Sequence, residues 1–351
     1  MFSGGGSGGH LTPSIAVAEK FLKTHPQTKI LFIGSNNGLD ESIIKKFGFK
    51  FKGIHAGKLR RYFSWRNFLD FFRFFYGIGE SFFMLKKFKA DLVFSKGGFV
   101  SLPVAIAAAF LRIPIIAHES DTISGLANRI ISKISKKVCY TFPILNASDK
   151  DVYTGTPIRE EILKANKEEG RHFLNFDNNK PIVLFMGASQ GASQINDICK
   201  NIFSELKLKA NIVLISGKGK KLNIKDDSLR EYEFLGKEFP NVLKVSDIVI
   251  SRAGANSLFE LSALGKASII IPLASSANNH QVKNAEYFKN KNAIEYFDSA
   301  NDEREFDANV KEKIYEWIQD PKRKEVYEKN INKLFIEDAV EKLIKVIEKE
   351  I

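Results

Sequence analysis

The sequence predicts an α/β protein with two doubly wound, Rossmann-like domains whose parallel sheets face a central cleft. The first reason is length, because 351 residues suffice for two domains with a hydrophobic core each. The second is that short apolar, β-branched runs alternate with longer helix-like runs, which is typical of parallel sheets. The third is a polar interval, residues 146–179, that separates two such series.

The predicted strands are distributed over both halves of the chain. They are Lys29–Gly34, Asp91–Ser95, Ile113–Ala117 and Lys137–Tyr140, then Pro181–Met186, Asn211–Ser216, Ile248–Ser251 and Ala267–Pro272. Ligands of parallel sheets bind beyond the carboxyl ends of the strands. Residues that directly follow a strand are therefore the first candidates for a site.

Composition narrows the choice of partners. A formal net charge of +12 and a pI near 9.4 favour a nucleic acid, an anionic bilayer or a phosphorylated substrate. We find no apolar run that could span a bilayer and no signal peptide, so we expect a cytoplasmic location. Cys139 and Cys199 are expected to be buried, reduced thiols. No nucleic-acid-binding module is recognisable, so no nucleic acid is expected as a partner.

A glycine-rich loop, residues 3–10, lies at the start of the chain. Three of its glycines satisfy the G-x-G-x-x-G pattern, which lets backbone N–H groups face an anion at a helix N-terminus. A dinucleotide site would also need an acidic residue at the end of the second strand, where a glycine and a serine stand. A nicotinamide cofactor is therefore not expected. The loop ends in His10, whose imidazole could accept a proton from a hydroxyl group.

The second half has strand-end residues better suited to a nucleotide. Gly187–Ala192, small residues between a strand and a helix, could hold a diphosphate on backbone N–H groups. Glu260 could accept hydrogen bonds from two ribose hydroxyls. His280, Gln281 and Asn284 have helical spacing and suit sugar hydroxyls. Each signal alone has an ordinary alternative, a strand-end turn or a capped helix with a solvated face.

Seven motifs together are more specific than any one of them. They are Gly-Gly-Gly-Ser-Gly-Gly-His (4–10), Lys-Gly-Gly-Phe-Val-Ser (96–101), His-Glu-Ser-Asp (118–121), Gly-Thr-Pro-Ile-Arg (155–159), Gly-Ala-Ser-Gln-Gly-Ala (187–192), Arg-Ala-Gly-Ala (252–255) and His-Gln-x-x-Asn-Ala (280–285). The set spans nearly the whole chain and resembles the MurG family of peripheral membrane N-acetylglucosaminyltransferases. Members of that family convert lipid I to lipid II in bacterial peptidoglycan synthesis.

The resemblance implies the GT-B type of fold and an inverting transfer of N-acetylglucosamine from UDP-GlcNAc to the C4 hydroxyl of MurNAc in lipid I. It implies an acceptor- and membrane-binding domain, residues 1–157 with a helix at about 336–351, and a donor domain, residues 158–335. The implied location is the cytoplasmic face of the bacterial inner membrane, with an anionic membrane surface and a cell-wall synthesis complex as partners. No metal or other cofactor is required, since helix N-termini and Arg159 can stabilise the leaving diphosphate.

Carried over by position, the resemblance implies three sets of site residues. The general base is His10, with Glu119 as the second candidate. The donor-binding residues are Arg159, Ser189, Gln190, Gly191, Arg252, Gly254, Ala255, Glu260, His280, Gln281 and Asn284. The acceptor-binding residues are Gly6, Ser7, Gly8, Gly9, Gly97, Gly98, Phe99, His118, Asp121 and Asn128.

The sequence departs from the family pattern at four of these motif positions. Ser7 keeps the hydroxyl group of the more common threonine, whereas Phe99 lacks the phenol of the more common tyrosine. Ser120 and Asp121 stand where the family has a Gln-Asn pair. A carboxylate at Asp121 is unfavourable near an anionic acceptor unless it is paired.

The segment from residue 58 to residue 89 is rich in phenylalanine and in cations. A helix packed on the sheet explains one apolar face, which consists of Trp65, Phe68, Leu69, Phe72, Phe75 and Phe83. Phe71, Phe74 and Ile78 fall outside that face, and cations that include Arg66 and Arg73 surround them. An apolar patch with a cationic rim is suited to adsorption on anionic lipid, so we expect these residues to dock on a membrane.

Two other functions are compatible with parts of the sequence. One is a UDP-GlcNAc 2-epimerase-like enzyme, which the basic, phenylalanine-rich segment disfavours. The other is a non-catalytic subunit that recruits a transferase to the membrane, which polar site candidates in both halves disfavour. Asp149-Lys150-Asp151 matches the D-x-D motif of metal-dependent glycosyltransferases, but it lies in the polar interval rather than at a strand end of the second half. We expect that match to be a coincidence.

Overall fold

A computed structural model describes residues 1–5, 8–36, 39–57, 65–187, 191–273, 276, 279–298 and 303–351. For residues 8–10, 39, 65–69 and 303 it describes the backbone alone. The chain forms two compact units, Met1–Arg159 with Ile336–Ile351 (unit 1) and Glu160–Phe335 (unit 2). Each unit contains one parallel sheet with helices, which confirms the predicted α/β class with two doubly wound domains.

Unit 1 contains a seven-stranded sheet in the order β3-β2-β1-β4-β5-β6-β7. Its strands are β1 (Phe2–Ser3), β2 (Leu31–Ser35), β3 (Lys50–Ile54), β4 (Val93–Ser95), β5 (Ile115–Glu119), β6 (Lys137–Tyr140) and β7 (Asp151–Tyr153). Its helices are α1 (Gly8–Thr24), α2 (Leu39–Lys46), α3 (Trp65–Phe88), α4 (Ser101–Phe110), α5 (Leu126–Ile134) and α14 (Ala339–Glu348). The strand order changes direction between β1 and β4, so a crevice is expected beyond their carboxyl ends.

The hydrophobic core of unit 1 includes the helix from the far end of the chain. Phe2 of β1 lies 5.3 Å from Phe94 of β4, measured between ring centroids, in a cluster of buried side chains. Leu343 and Ile347 of α14 belong to the same cluster. Each buried side chain of this size stabilises a fold by about 1.5–3 kcal/mol, so α14 is an integral part of unit 1.

Unit 2 contains a six-stranded sheet in the order β10-β9-β8-β11-β12-β13. Its strands are β8 (Ile182–Met186), β9 (Asn211–Ile215), β10 (Leu229–Tyr232), β11 (Ile248–Ser251), β12 (Ser268–Ile270) and β13 (Glu295–Tyr296). Its helices are α6 (Glu160–Leu163), α7 (Lys167–Leu174), α8 (Ser193–Leu206), α9 (Phe239–Val245), α10 (Ala255–Leu264), α11 (His280–Lys289), α12 (Glu303–Gln319) and α13 (Pro321–Asn332). The strand order changes direction between β8 and β11.

The strands that the sequence did not predict include all four sheet edges. β3 and β7 are the edges of the first sheet, and β10 and β13 are the edges of the second. An edge strand is half-exposed and commonly carries charged residues, such as Lys50 and Lys52 in β3, so its hydrophobic signal is weak. β1, the short first strand before the glycine loop, consists of two residues in the centre of its sheet.

Candidate active site

The first group of site residues lies beyond the carboxyl ends of β1 and β4. Their register pairs Ser3 with Ser95, and the Lys96 N–H donates to the Ser3 carbonyl at 2.9 Å. Gly97 and Gly98 then turn the chain into α4 with φ angles of +88° and +82°, a region that favours glycine. The turn after β4 is therefore built next to the strand that leads into the glycine loop.

Glu119, at the end of β5, joins the turn after β5 to α5. Asn128 Nδ2 donates to Glu119 Oε2 at 2.8 Å, and the Asp121 N–H donates to Glu119 Oε1 at 3.1 Å. A Cβ atom at Gly97 would overlap Asn128 Oδ1, so position 97 requires glycine. Burial and the Asp121 carboxylate raise the pKa of Glu119. The structure thus brings together Gly97, Glu119 and Asp121 from two separate motifs and Asn128 from α5.

A buried cluster supports the same edge from inside unit 1. Lys96 Nζ donates to His118 Nδ1 at 2.9 Å and to Ser120 Oγ. His118 Nε2 lies 3.2 Å from the Gly155 carbonyl oxygen, which can only accept, so we assign the ring proton to Nε2. Burial and the charge of Lys96 lower the pKa of His118 well below its usual value, which agrees with a neutral ring.

This geometry bears on the expected contact of His118 with the acceptor, which stays a prediction. Its side chain is 1% exposed, and both ring nitrogens bond within unit 1. A ligand could reach it only if those bonds broke. In the structure, His118 therefore links Lys96 to the Gly155 carbonyl within unit 1.

The glycine loop itself is described only in part. Gly6 and Ser7 lie outside the described residues, and Gly8, Gly9 and His10 are described by their backbone, which forms the first turn of α1. Phe99 is half-buried and packs against a core cluster of unit 1. The contacts of these residues with a substrate stay predictions.

Asp40, the first aspartate after β2, serves the fold. It is fully buried, and its Oδ2 accepts hydrogen bonds from the Ser35 N–H at 2.9 Å and the Ser35 hydroxyl at 3.0 Å. A Cβ atom at Gly5 would overlap this same oxygen. The carboxylate thus closes the turn after β2 and requires a glycine in the loop after β1.

The second group of site residues lies beyond the carboxyl ends of β8, β11 and β12. The register places the last residues of these three strands side by side. Gly191 has a φ angle of +70°, and a Cβ atom there would overlap the Ser216 carbonyl oxygen. Ser189 and Gln190 lie outside the described residues, so their contact with a diphosphate stays a prediction.

Arg252, directly after β11, joins two neighbouring elements. Its Nη1 donates to Gln194 Oε1 of α8 at 2.8 Å and to the carbonyls of Ile271 and Pro272, each at 3.1 Å. The side chain is buried, and burial lowers the pKa of Arg252. These contacts fix the turn after β12 to the start of α8, and direct contact of Arg252 with a donor stays a prediction.

The start of α10 is open. Gly254 is the N-terminal cap of this helix and Ala255 its first residue, and a Cβ atom at Gly254 would meet nothing within 4 Å. Glu260 is half-buried in the second turn of α10. Arg159 is half-buried at the end of unit 1. The roles of these residues in donor binding stay predictions.

α11 carries the three polar residues that the sequence placed near the donor sugar, but two of them hold loops. Gln281 Oε1 accepts from the Leu273 N–H at 3.0 Å, and Asn284 Nδ2 donates to the Ala253 carbonyl at 3.2 Å. Asn284 is fully buried and positions the turn before α10, and its direct contact with a sugar stays a prediction. His280 is half-buried in the first turn, and its contact with the donor stays a prediction.

The comparisons with known proteins identify the family. Residues 1–140 match the Glycosyltransferase family 28 N-terminal domain, and residues 182–343 match the Glycosyltransferase family 28 C-terminal domain. The UDP-N-acetylglucosamine--N-acetylmuramyl-(pentapeptide) pyrophosphoryl-undecaprenol N-acetylglucosamine transferase of Clostridium tetani is 39% identical over 355 residues, 99% of this chain and 97% of the relative. This chain belongs to that transferase family. A protein of the same name from Clostridium perfringens is 43% identical over 82% of each chain.

Solved structures of related fold agree with this assignment. The crystal structure of Acinetobacter baumannii MurG has a TM-score of 0.74 at 20% identity and covers 99% of this chain and 98% of its own. A UDP-GlcNAc 2-epimerase from Neisseria meningitidis, solved with UDP-GlcNAc bound, has a TM-score of 0.69 at 14% identity and covers 99% of both chains. At such identities these likenesses show the GT-B type of fold alone. Sequence identity assigns the chain to the transferase family.

Two of the α3 residues that were predicted to contact the membrane pack against the core of unit 1. Phe74 and Ile78 pack against a core cluster of unit 1, whereas Phe71 is 53% exposed. A Cβ atom at Gly77 would overlap the His55 carbonyl oxygen, so the backbone of α3 approaches the residue after β3 closely at this point. That close approach turns the side of Phe74 and Ile78 inward.

Three phenylalanines assigned to the core face are instead exposed, and the side chains of Trp65, Phe68 and Leu69 lie outside the described residues. Phe72, Phe75 and Phe83 have exposed fractions of 57%, 55% and 72%. The rings of Phe71 and Phe75 pack edge to face with centroids 4.8 Å apart. We call the five exposed residues Phe71, Phe72, Phe75, Tyr76 and Phe83 the aromatic face of α3.

The cations near this face are partly described. Arg73 is exposed and pairs with Asp70 at 3.1 Å, and Lys86 and Lys87 are exposed near the end of the helix. The side chain of Arg66 lies outside the described residues. Within the described ranges, α3 and every other helix lack the length or the hydropathy needed to cross a bilayer.

The D-x-D motif forms a local turn. Asp151 Oδ2 accepts hydrogen bonds from the Ser148 N–H at 2.8 Å and the Ser148 hydroxyl at 2.7 Å. Across the part of the chain that the structure describes, no group of three or more His, Cys, Asp or Glu side chains could hold a metal ion. Cys139 and Cys199 are free and buried, which confirms that prediction, and burial raises the pKa of both thiols.

Sequence reasoning did not assign roles to Lys96 and Ser120. A fully buried lysine is rare, so a lysine in a motif is normally expected at the surface. The sequence did contain one indication of a role for Lys96, which is its position. Lys96 directly follows β4 and precedes two glycines, and both glycines have positive φ angles.

Proposed function

We propose that this chain transfers N-acetylglucosamine from UDP-GlcNAc to the C4 hydroxyl of MurNAc in lipid I and so produces lipid II. The observation that carries the proposal is 39% identity to a named transferase over 99% of the chain. In a single displacement, the C4 oxygen forms the bond to C1 of the incoming sugar while the bond from C1 to the UDP oxygen breaks. The hydroxyl proton passes to a base on the protein, UDP leaves, and the configuration at C1 inverts.

His10 is the proposed base. It follows β1 at the start of α1, on the edge where the Lys96-Gly97-Gly98 turn also lies. Glu119 is less suitable, because the Asn128 amide and the Asp121 N–H already donate to its two carboxylate oxygens. A positioned base typically contributes about 10²–10⁴-fold to the rate.

Unit 2 is the proposed donor site. The loop between β8 and α8 and the open start of α10 offer backbone N–H groups to the diphosphate, since helix N-termini favour anions. Glu260 would accept from the ribose hydroxyls, and His280 and Gln281 would lie near the sugar. With Arg159, these groups would stabilise the leaving diphosphate, so the proposal includes no metal ion or other cofactor.

Unit 1 is the proposed acceptor site. The loop that contains Gly6, Ser7, Gly8 and Gly9 would hold the lipid diphosphate on its N–H groups. The Gly97-Gly98 turn, Phe99, Asp121 and Asn128 belong to the same edge of the sheet or to the helix beside it. Their location beyond β4 and β5 supports this assignment.

The aromatic face of α3 is the proposed contact with the membrane, at the cytoplasmic face of the inner membrane. Exposed phenylalanines provide apolar surface, and Arg73, Lys86 and Lys87 add positive charge on the same helix. This combination favours peripheral binding to anionic lipid. The contact would bring unit 1 to its lipid-linked acceptor, and a cell-wall synthesis complex is a further proposed partner there.

The decisive experiment is incubation of the purified chain with labelled UDP-GlcNAc, with and without a short-chain lipid I analogue. We expect label in the lipid fraction only when the acceptor is present. Epimerised sugar or free UDP without acceptor would contradict the proposal and favour the epimerase-like alternative. A lack of any turnover would favour the non-catalytic subunit.

A further inference from the structure

Lys96 is a buried cation to which the proposed reaction assigns no role. It directly follows β4, on the edge of the sheet where the acceptor is proposed to bind, and it is fully buried. Its ammonium group donates to His118 Nδ1 at 2.9 Å and to Ser120 Oγ. Placing a charge in a protein interior costs free energy unless the surroundings compensate it. A buried lysine at this position therefore indicates a functional role.

The charged and titratable groups around Lys96 come from β5 and the turn after it. Glu119 and Asp121 interact favourably with the ammonium group, and His118 is a neutral ring that accepts its hydrogen bond. From β1, the neighbouring Ser3 contributes a backbone carbonyl to the Lys96 N–H. Burial lowers the pKa of Lys96 to about 8, and the two carboxylates oppose that shift. The ammonium form therefore predominates at neutral pH.

We propose that Lys96 is a positioning residue of the acceptor site, which directs the Ser120 hydroxyl toward an anionic oxygen of the acceptor and offsets the carboxylate of Asp121. This inference rests on the proposed function, because it takes lipid I as the acceptor. Ser120 Oγ accepts from the ammonium group, so its own hydrogen is directed to another acceptor. A hydroxyl group that accepts a charge-assisted hydrogen bond is also a stronger donor.

The cluster also accounts for the Ser-Asp pair at positions 120 and 121. A carboxylate near the acceptor diphosphate would repel it, and the Lys96 ammonium supplies the opposite charge. Serine is short enough for its oxygen to meet Lys96 Nζ directly. Lys96, Ser120 and Asp121 thus act as one set, in which removal of the cation takes a favourable charge interaction away from the carboxylate.

The first test uses the unmodified chain. We expect kcat/KM for a short-chain lipid I analogue to fall as the pH rises through about 8, while KM for UDP-GlcNAc changes less than about twofold. Because the pKa of Lys96 is lower in the folded chain than in the unfolded one, its contribution to stability rises with pH between about 8 and 10.5. The loss of rate would therefore not reflect unfolding driven by Lys96. A flat profile between about pH 7 and 9.5 would overturn the proposal.

The second test uses Lys96→Met, which keeps the bulk of the side chain and removes its charge. We expect kcat/KM for lipid I to fall roughly 10- to 100-fold and the decline above pH 8 to disappear. Lys96→Met/Asp121→Asn should recover at least about fivefold of that loss, because it also removes the negative charge that Lys96 offsets. Persistence of the alkaline decline in Lys96→Met, or no recovery in the double variant, would contradict the proposal.

Lys266→Met is the matched control. Lys266 is a buried lysine of unit 2 whose pKa burial lowers to about 7, and its ammonium group donates to the Lys244 and Ser246 carbonyls at 2.5 and 2.8 Å. This variant should lower Tm but keep the alkaline decline in kcat/KM for lipid I. If Lys96→Met does not fold, the pH profile of kcat/KM for the unmodified chain still tests the proposal. If the unmodified chain transfers no label to lipid I at any pH, the proposed function fails first.

Discussion

The two strand-end sites handle charge in different ways. In unit 1, a lysine, a neutral histidine and a glutamate are buried together behind the turn after β4. In unit 2, the corresponding edge includes glycines, backbone N–H groups and neutral amides, beside Glu260, His280 and an Arg252 that is bonded to backbone carbonyls and to Gln194.

This difference matches the chemistry proposed for each unit. A donor diphosphate brings its own negative charge, and backbone N–H groups can stabilise it at any pH. An acceptor hydroxyl must lose a proton, and side chains with shifted pKa values are commonly found where protons move. We therefore expect substitutions in unit 1 to change the pH dependence of the rate, and those in unit 2 to change KM for UDP-GlcNAc.

The largest expected effect is that of His10→Ala. If unit 1 supplies the base, kcat with both substrates saturating should fall by about 10²–10⁴-fold. His25→Ala, a change at the half-buried histidine that follows α1, should leave kcat within about twofold. Near-normal turnover of His10→Ala would show that His10 is not the base. Glu119 would then be tested in the same assay.

A pair of helix caps compares the two units directly. Gly254 and Gly125 cap α10 and α5 with the same φ angle of −67°, and at neither position would a Cβ atom meet anything within 4 Å. Both substitutions to alanine should therefore fold normally. Gly254→Ala should raise KM for UDP-GlcNAc by about 10-fold, because a methyl group would intrude on the diphosphate, whereas Gly125→Ala should not. Equal KM values would place the donor away from α10.

The aromatic face of α3 adds a lipid contact to unit 1. Phe71→Ser/Phe75→Ser should weaken co-sedimentation with anionic liposomes by at least about 10-fold, because each buried phenylalanine contributes about 1.5–3 kcal/mol, and it should leave Tm unchanged. Phe74→Ser/Ile78→Ser should instead reduce the free energy of unfolding by about 2–5 kcal/mol. If Phe74→Ser/Ile78→Ser weakened liposome binding and Phe71→Ser/Phe75→Ser lowered Tm, the membrane-facing side of α3 would be the one that the sequence predicts.

The smallest expected effect concerns the D-x-D motif. Asp149→Asn should change kcat by less than about twofold, since Asp149 is an exposed residue of a surface turn. Asp151→Asn should cost about 1 kcal/mol of stability through weaker hydrogen bonds with Ser148. A large loss of kcat that divalent cations reverse in either variant would bring a metal ion into the mechanism.

Much of the fold and part of the site could be predicted from the sequence, because both depend on local patterns. Buried central strands are continuous apolar runs, and turns after them carry glycines that no other residue can replace, such as Gly97 and Gly191. The four edge strands could not be found, since their charged residues face water as those of a loop do.

The remaining errors come from packing, which the sequence does not encode locally. Hydrophobicity favoured the phenylalanine side of α3 as the buried one, but Gly77 permits a close backbone approach that buries the side with Phe74 and Ile78. The family resemblance placed His118 and Asn284 near ligands, and the structure shows that both side chains are buried. Their burial becomes evident only when the partners from distant strands are known.

The position of α14 in unit 1 has a consequence for synthesis. Residues 160–335 form unit 2 and are translated before residues 336–351, whose apolar side chains complete the core around α1. Unit 2 can therefore fold while the ribosome still holds unit 1 incomplete, with part of its core open to solvent. The surface of α1 that α14 later covers stays exposed throughout this interval. A chaperone that binds the nascent chain could bind there.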